Sequence, residues 1–189
     1  MNSLAQWPER RGLFDQWSLS DALAPLAASS TRNDGFELLT WNTRALIHHK
    51  TSLKWKKTAL LKSLTRGTTI GCVQESHGSS AEVQKTLFRL SQDFHIEHSM
   101  GIDRNTGGLI FLVRKTFAPD PTLLEWIHYV PGRVSRLAAS GKSTVIVWNV
   151  HNHGITTAEL RVIISAMRED IRRATISPKA FFCFFTGDF

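Results

Sequence analysis

Four apolar runs in this chain each lead into a side chain able to bind a cation or move a proton. LLTWN ends at Asn42 and IGCVQE at Glu75, VIVWNVHNH delivers Asn149, His151 and His153, and FFCFFTGD delivers Asp188. In sheets covered by helices, strand ends are where polar side chains can meet at a solvent-accessible rim without uncompensated burial. Singly, each residue has a plain structural explanation: Asn42 and Asn149 as turn residues, Glu75 and Asp188 as solvated loop carboxylates, His151 or His153 as satisfied edge histidines. Together they make a donor set. An amide and one or two carboxylates are the oxygen ligands Mg²⁺ takes when it must also hold substrate phosphate oxygens. An imidazole beside that ion can give a hydrogen bond or a proton to a phosphate.

The elements that must position these groups are legible as alternating patterns. FELLTWN and TIGCVQ read as strands, separated by SLKWKKTALLKSLTR, a basic helix with Leu53, Leu60, Leu61 and Leu64 as its apolar side. AEVQKTLFRLSQ reads as a second helix. FHIEHS, a Gly-Gly break, LIFLVR, TLLEWIHYV, the Pro-Gly turn of VPGRVSRL and STVIVWNVH then form a strand-rich middle. SGKST around Lys142 resembles the end of a phosphate-binding Walker loop. Arg136 stands where that loop needs glycine and a strand follows, so the segment is predicted to be a hairpin turn. TTAELRVIISAMREDIRRA is the strongest helix pattern, with Leu160, Ile163, Ile164, Met167 and Ile171 at helical spacing and Thr156 and Glu159 placed for a capping box. KAFFCFF is the final strand. Helices interleaved with long apolar strands predict an α/β or α+β sandwich with helices on the sheet faces.

Residues 1–35 differ in character. ALAPLAASSTRNDG is small, polar and broken by Gly and Pro, so this segment is expected to be a poorly ordered leader or linker, with the domain spanning 36–189. The charges in MNSLAQWPERRGLFDQW stand where a secretory signal would be apolar. No apolar stretch reaches the roughly 18 to 20 residues of a membrane span. Cys72 and Cys183, the two cysteines of the chain, sit inside apolar runs, which argues against a disulfide scaffold and for a reducing, intracellular setting, nucleus or cytoplasm. They are also too far apart for a zinc knuckle. A net charge of +7 and pI near 9.9 favour polyanionic partners, nucleic acid first. The Lys54, Lys56, Lys57, Lys62 and Arg66 cluster reads first as the solvated face of a helix and second as a nucleic-acid track.

LLTWNTRAL, VQESHG, GGLIFLVRK, VIVWNVHNHG and FFTGDF, in that order and approximate spacing, resemble the endonuclease/exonuclease/phosphatase superfamily from about Phe36 onward. WNTRAL and GRVSRL look most like its non-LTR retrotransposon branch. The resemblance implies a DNase I-like four-layer α/β sandwich, of which the chain would hold the N-terminal half to two-thirds: the first sheet and one strand of the second half. It implies Mg²⁺, with Mn²⁺ as an alternative, held at Glu75 with Asn42. Asp188 would activate or orient the attacking water, His151 would stabilise or protonate near the scissile phosphate, and Asn149 would support it. Arg44 and His153 would bind substrate; His48, His49 and His77 are loop residues, the first two within reach of phosphate. The implied activity is DNA endonuclease, apurinic or retrotransposon type, in the complete form. The chain lacks the asparagine after GDF and the later Asp-His pair of the family, so it is expected to be a fragment with little activity. The alternatives are a non-catalytic nucleic-acid-binding remnant and a phosphatase or phospholipid phosphodiesterase of the same superfamily.

Overall fold

The computed structural model describes residues 36–188, Asp188 through its backbone alone, so the leader expected over 1–35 lies outside the described residues. The strands are β1 (Leu38–Asn42), β2 (Ile70–Gln74), β3 (Phe94–Ser99), β4 (Leu109–Arg114), β5 (Leu124–Val130), β6 (Val134–Ser140), β7 (Thr144–His151) and β8 (Phe181–Asp188). The helices are α1 (Thr51–Leu64), α2 (Ser80–Leu87) and α3 (Thr157–Ile176), with short 3₁₀ turns at Leu90–Gln92 and Pro121–Leu123.

The strands form two four-stranded sheets, ordered β1-β2-β4-β3 and β5-β6-β7-β8. β1 and β2 run parallel, joined through α1, and β7 and β8 run parallel, joined through α3; the other pairings are antiparallel. This corrects the expectation of one sheet plus a single further strand. The middle strands β5, β6 and β7 do not extend the first sheet; they pair with one another and with β8 into a complete second one. SGKST is the hairpin turn predicted for it, closed by Gly141 N–H donating to Ser143 O at 3.0 Å.

Two apolar clusters bind helices to sheets. Leu61 of α1 and Val83 and Leu87 of α2 pack with Val73, Ile110 and Leu112 of the first sheet. Ile163 of α3 packs with Val134, Ile146, Trp148 and Val150 of the second. Since alternate strand residues point to opposite faces, Gln74 and Asn149 point the other way, toward the facing sheet. There Gln74 Nε2 donates to Asn149 Oδ1 at 2.6 Å, and Phe111 meets Trp126 at 5.7 Å between ring centroids. The result is four layers: helices, sheet, sheet, helix.

The helix ends obey local chemistry. Ser79 with Glu82, and Thr156 with Glu159, form reciprocal capping boxes that satisfy the first free N–H groups of α2 and α3. The Arg114 guanidinium closes the other end of α1 by donating to the carbonyls of Thr65, Arg66 and Thr68.

The apolar stripes are narrower than their periodicity predicts. Leu61 is fully buried, but Leu53, Leu60 and Leu64 remain 37%, 49% and 41% exposed. On α1 the inward row instead passes through Lys57, which turns toward the loop after β1. On α3 it passes through Ile163, Met167 and Asp170, leaving Leu160, Ile164 and Ile171 as flanks 38–50% exposed. Asp170 is buried because Arg136 of β6 grips it with two bonds, Nε to Oδ2 at 2.8 Å and Nη2 to Oδ1 at 3.0 Å, while Trp148 Nε1 donates to Oδ2 at 3.0 Å.

Candidate active site

β1 and β2 end side by side, and the loops leaving them are held together by a ladder of main-chain bonds. The amides of Thr43, Ala45 and Ile47 donate to the carbonyls of Gln74, Glu75 and Ser76, each at 2.9 Å. The buried Thr43 hydroxyl also reaches the Gln74 and Glu75 carbonyls. Arg44, Ala45, Glu75 and His77 all hold positive φ, between 45° and 68°, a region that disfavours residues with a Cβ. Four such residues in two adjoining loops is strain of the kind that collects where side chains must be aimed.

Lys57 holds the first loop in that shape. From α1 its Nζ donates to the carbonyls of Thr43 at 2.8 Å, Ala45 at 2.9 Å and Arg44. Desolvation beside these loops lowers the Lys57 pKa, and the Glu75 carboxylate opposes that shift.

Within this frame Asn42 Nδ2 donates to Glu75 Oε1 at 2.9 Å, and Asn42 Oδ1 accepts from the Arg44 amide at 3.0 Å. His151 reaches the same carboxylate from the other sheet, its Nε2 3.8 Å from Glu75 Oε1. The Glu75 side chain is 25% exposed, and its second oxygen takes no hydrogen bond from a described residue. Among the described residues no three His, Cys, Asp or Glu side chains are grouped tightly enough to hold an ion by themselves. Mg²⁺ does not need such a cage, because it keeps waters and takes one or two carboxylates plus substrate oxygens. An oriented carboxylate with a free oxygen, beside an amide oxygen, fits that requirement.

The remaining expected residues divide. Asp188 stands opposite His151 in the β7–β8 register. Gly187 before it has φ 126°, and a Cβ there would meet Val150 O at 1.8 Å, so the TGD run needs its glycine for β8 to approach β7. His153 is exposed, its ring centroid 6.2 Å from that of His151. Arg44 is exposed on a neighbouring cleft with Thr40, Asn42, Gln74 and Gly187. Asn149 is not on the rim. It is completely buried, accepting from Gln74 and donating to Val73 O at 3.3 Å and Ile110 O at 3.2 Å. These bonds tie β7 to the first sheet and so set where His151, two residues on, arrives.

Glu75 and His151 open onto a cleft of about 420 Å³ whose other walls include His77, Asn105, Arg133 and His153. Nothing in the sequence pattern singles out Arg133, although GRVSRL contains it; its carbonyl also accepts the His151 amide at 2.7 Å. Lys57 reads in sequence only as one member of a basic cluster, a solvated helix face or a nucleic-acid track. His77 reads as a plain loop residue, yet it lines the cleft, and burial lowers its pKa against the pull of Glu75. Beneath the loop, buried Ser76 contacts His98 at 3.2 Å, whose other ring nitrogen contacts Ser80 at 3.1 Å. Burial takes the His98 pKa down to about 4. This Ser-His pair supports the loop; Ser76 is 0% exposed and no substrate reaches it.

No family model matches the chain, and no curated protein sequence matches it. Solved structures do. An AP endonuclease, LMAP, from Leishmania major superposes with a TM-score of 0.54 at 17% identity, over 81% of this chain and 54% of that one. TDP2 from Caenorhabditis elegans gives 0.54 at 19% identity, over 90% and 53%. The 3′ phosphatase NExo from Neisseria, bound to product DNA hairpin, gives 0.50 at 14% identity, over 82% and 58%. The chain thus spans a little over half the length of the structures it matches. Its two sheets, its covering helices and these superpositions establish a DNase I-like α/β sandwich as the fold of this protein.

Proposed function

We propose that the chain carries the core of a metal-dependent phosphodiesterase that hydrolyses nucleic acid, with DNA as the substrate. The observation that carries this reading is the convergence of Asn42, from the end of β1, and His151, from β7, on the Glu75 carboxylate just past β2, which opens onto a cleft that also bears Arg133 and His77. A net charge of +7 favours a polyanionic substrate.

Glu75 would hold Mg²⁺ through its free oxygen, with Asn42 fixing the carboxylate and offering an amide oxygen. The ion, when bound, polarises the phosphoryl group and offsets charge in the transition state. Arg133 and His77 would orient the phosphodiester by charge and hydrogen bonding. His151 would donate from Nε2 to a phosphate oxygen as charge builds. Asp188, placed by its register opposite His151, would accept the proton of the attacking water. Asn149 would act only by positioning His151. Of the nuclease types the sequence resembles, the retrotransposon branch is the one we favour, on WNTRAL and GRVSRL.

The test is nicking of supercoiled plasmid by the full chain. We expect slow nicking with Mg²⁺ that stops in EDTA and falls at least a hundredfold in Glu75→Ala, the scale of losing a main transition-state stabiliser. Equal rates for the two proteins would overturn the metal role of Glu75. Hydrolysis of a soluble phospholipid head-group diester with none of DNA would reassign the substrate.

A further inference from the structure

α1 presents a surface that the proposed reaction does not use. From His48 to Arg66 the sequence carries Lys50, Lys54, Lys56, Lys57, Lys62 and Arg66 without a single Asp or Glu. In the middle stands Trp55, 64% exposed. Tryptophan is among the most extensively buried side chains on average, so one standing in water on a helix calls for a partner. At 100° per residue, Trp55 projects about 140–180° round the helix from Leu53, Leu60 and Leu64. It is therefore no part of the apolar stripe. Its own side of the helix carries Thr51, Ser52, Ala59 and Lys62, with Lys56 next to it.

This surface is continuous with the candidate active site. Lys54, one residue from Trp55, lines a cleft of about 670 Å³ with His48, His49 and Arg104. His77 and Asn105 line both that cleft and the one holding Glu75 and His151. The groove also holds Glu82, which pairs with Arg104 at 2.7 Å, so Lys54 is the cation that joins it to the helix. A lone exposed aromatic flanked by lysines on an acid-free basic helix is the combination that binds single strands: cations follow the backbone and a ring stacks an unpaired base. A membrane surface would instead require a broad apolar face, which Trp55 stands apart from.

We propose that α1 is a binding platform for an unpaired nucleic-acid strand, with a base stacked on Trp55 and the adjoining phosphates held by Lys54 and Lys56. The strand runs past His48 and His49 toward Glu75, a direction that rests on the phosphodiesterase reading above. A paired base is already stacked and cannot use Trp55, so the platform favours single strands over duplex.

Binding of a fluorescein-labelled single-stranded 12-mer to the full chain is measured by anisotropy in EDTA, where metal-dependent hydrolysis cannot run. We expect Trp55→Ala to weaken binding on the order of tenfold and Trp55→Phe to restore most of it, because stacking needs a ring. Lys54→Gln and Lys56→Gln should each flatten the dependence of log affinity on log salt by about 0.7. Equal binding by Trp55→Ala, a Trp55→Phe protein as weak as Trp55→Ala, or binding to phosphatidylserine vesicles but not to the 12-mer would each overturn the proposal. Hydrolysis of bis(p-nitrophenyl) phosphate by the unsubstituted chain with Mg²⁺ separately tests the phosphodiesterase reading. Binding without hydrolysis would remove that reading and keep the platform.

Discussion

Asn42 donates to Glu75 Oε1 at 2.9 Å while its own oxygen is held by the Arg44 amide at 3.0 Å. Both ends of the amide are engaged, so the carboxylate it holds is aimed before any ligand arrives. On the metal role proposed for Glu75, Asn42→Ala should lower Mg²⁺ affinity and Mg²⁺-dependent cleavage about 10–100-fold, the usual loss on removing a group that orients a metal-binding carboxylate. Calorimetric titration with Mg²⁺ checks the first and plasmid nicking the second. Unchanged Mg²⁺ affinity would mean that Glu75 needs no orienting partner.

Lys57 gathers three consecutive carbonyls of a loop in which two residues hold positive φ. Lys57→Met leaves those carbonyls without their cation, at a cost of about 1–3 kcal/mol. The loss should be local before it is global. Amide exchange at Ala45 and Ile47, which donate to the Glu75 and Ser76 carbonyls, should accelerate ahead of the sheet amides. Lys57→Arg should rescue it poorly, because all three bonds come from the single Nζ atom, a point the longer planar guanidinium fork does not reproduce.

His98 gives the fold a pH-dependent term. Desolvation is the main cause of its fall from 6.5 to about 4, with Glu97 opposing it and His128 adding to it. Between those values the unfolded chain binds more protons at this residue than the folded one. Stability is therefore unaffected above pH 6.5 and falls as the pH drops from 6.5 toward about 4. The loss is on the order of 2 kcal/mol after allowing for partial solvent screening. Thermal melts at about pH 7 and about pH 4.5 should differ less in His98→Gln than in the unsubstituted chain. An equal difference would place the acid sensitivity elsewhere.

The strands, α3 with its capping box and the SGKST turn were legible because each rests on local pattern: alternation, a Thr-x-x-Glu pair, a turn tetrad. What depended on partners distant in sequence was not. Nothing near Asn149 announces that its bonds go to Gln74, Val73 and Ile110, so a residue that ties two sheets together reads in sequence as one more polar group on the rim. Nothing near Lys57 separates it from Lys54 or Lys56, yet it alone turns inward to the loop. The number of sheets was missed for the same reason. Apolar strands declare themselves in sequence, but their pairing is decided by register and by which face a helix covers.

Asp170 shows what such a hidden partner does for stability. It is 3% exposed on a helix whose other inward residues are apolar, and Arg136, 5% exposed, meets it with two bonds. Glu125 engages the third guanidinium nitrogen at 3.0 Å, but its side chain is 65% exposed and cannot neutralise the buried charge alone. Asp170→Ala should therefore cost about 3–5 kcal/mol, because it strands Arg136 and the Trp148 N–H inside the layer between α3 and the second sheet. Arg136→Met combined with Asp170→Leu should recover most of that loss, since neither charge then remains to be desolvated. Urea unfolding of the single and double variants gives the coupling directly. Strictly additive losses would show that the pair does not act as a unit in docking α3.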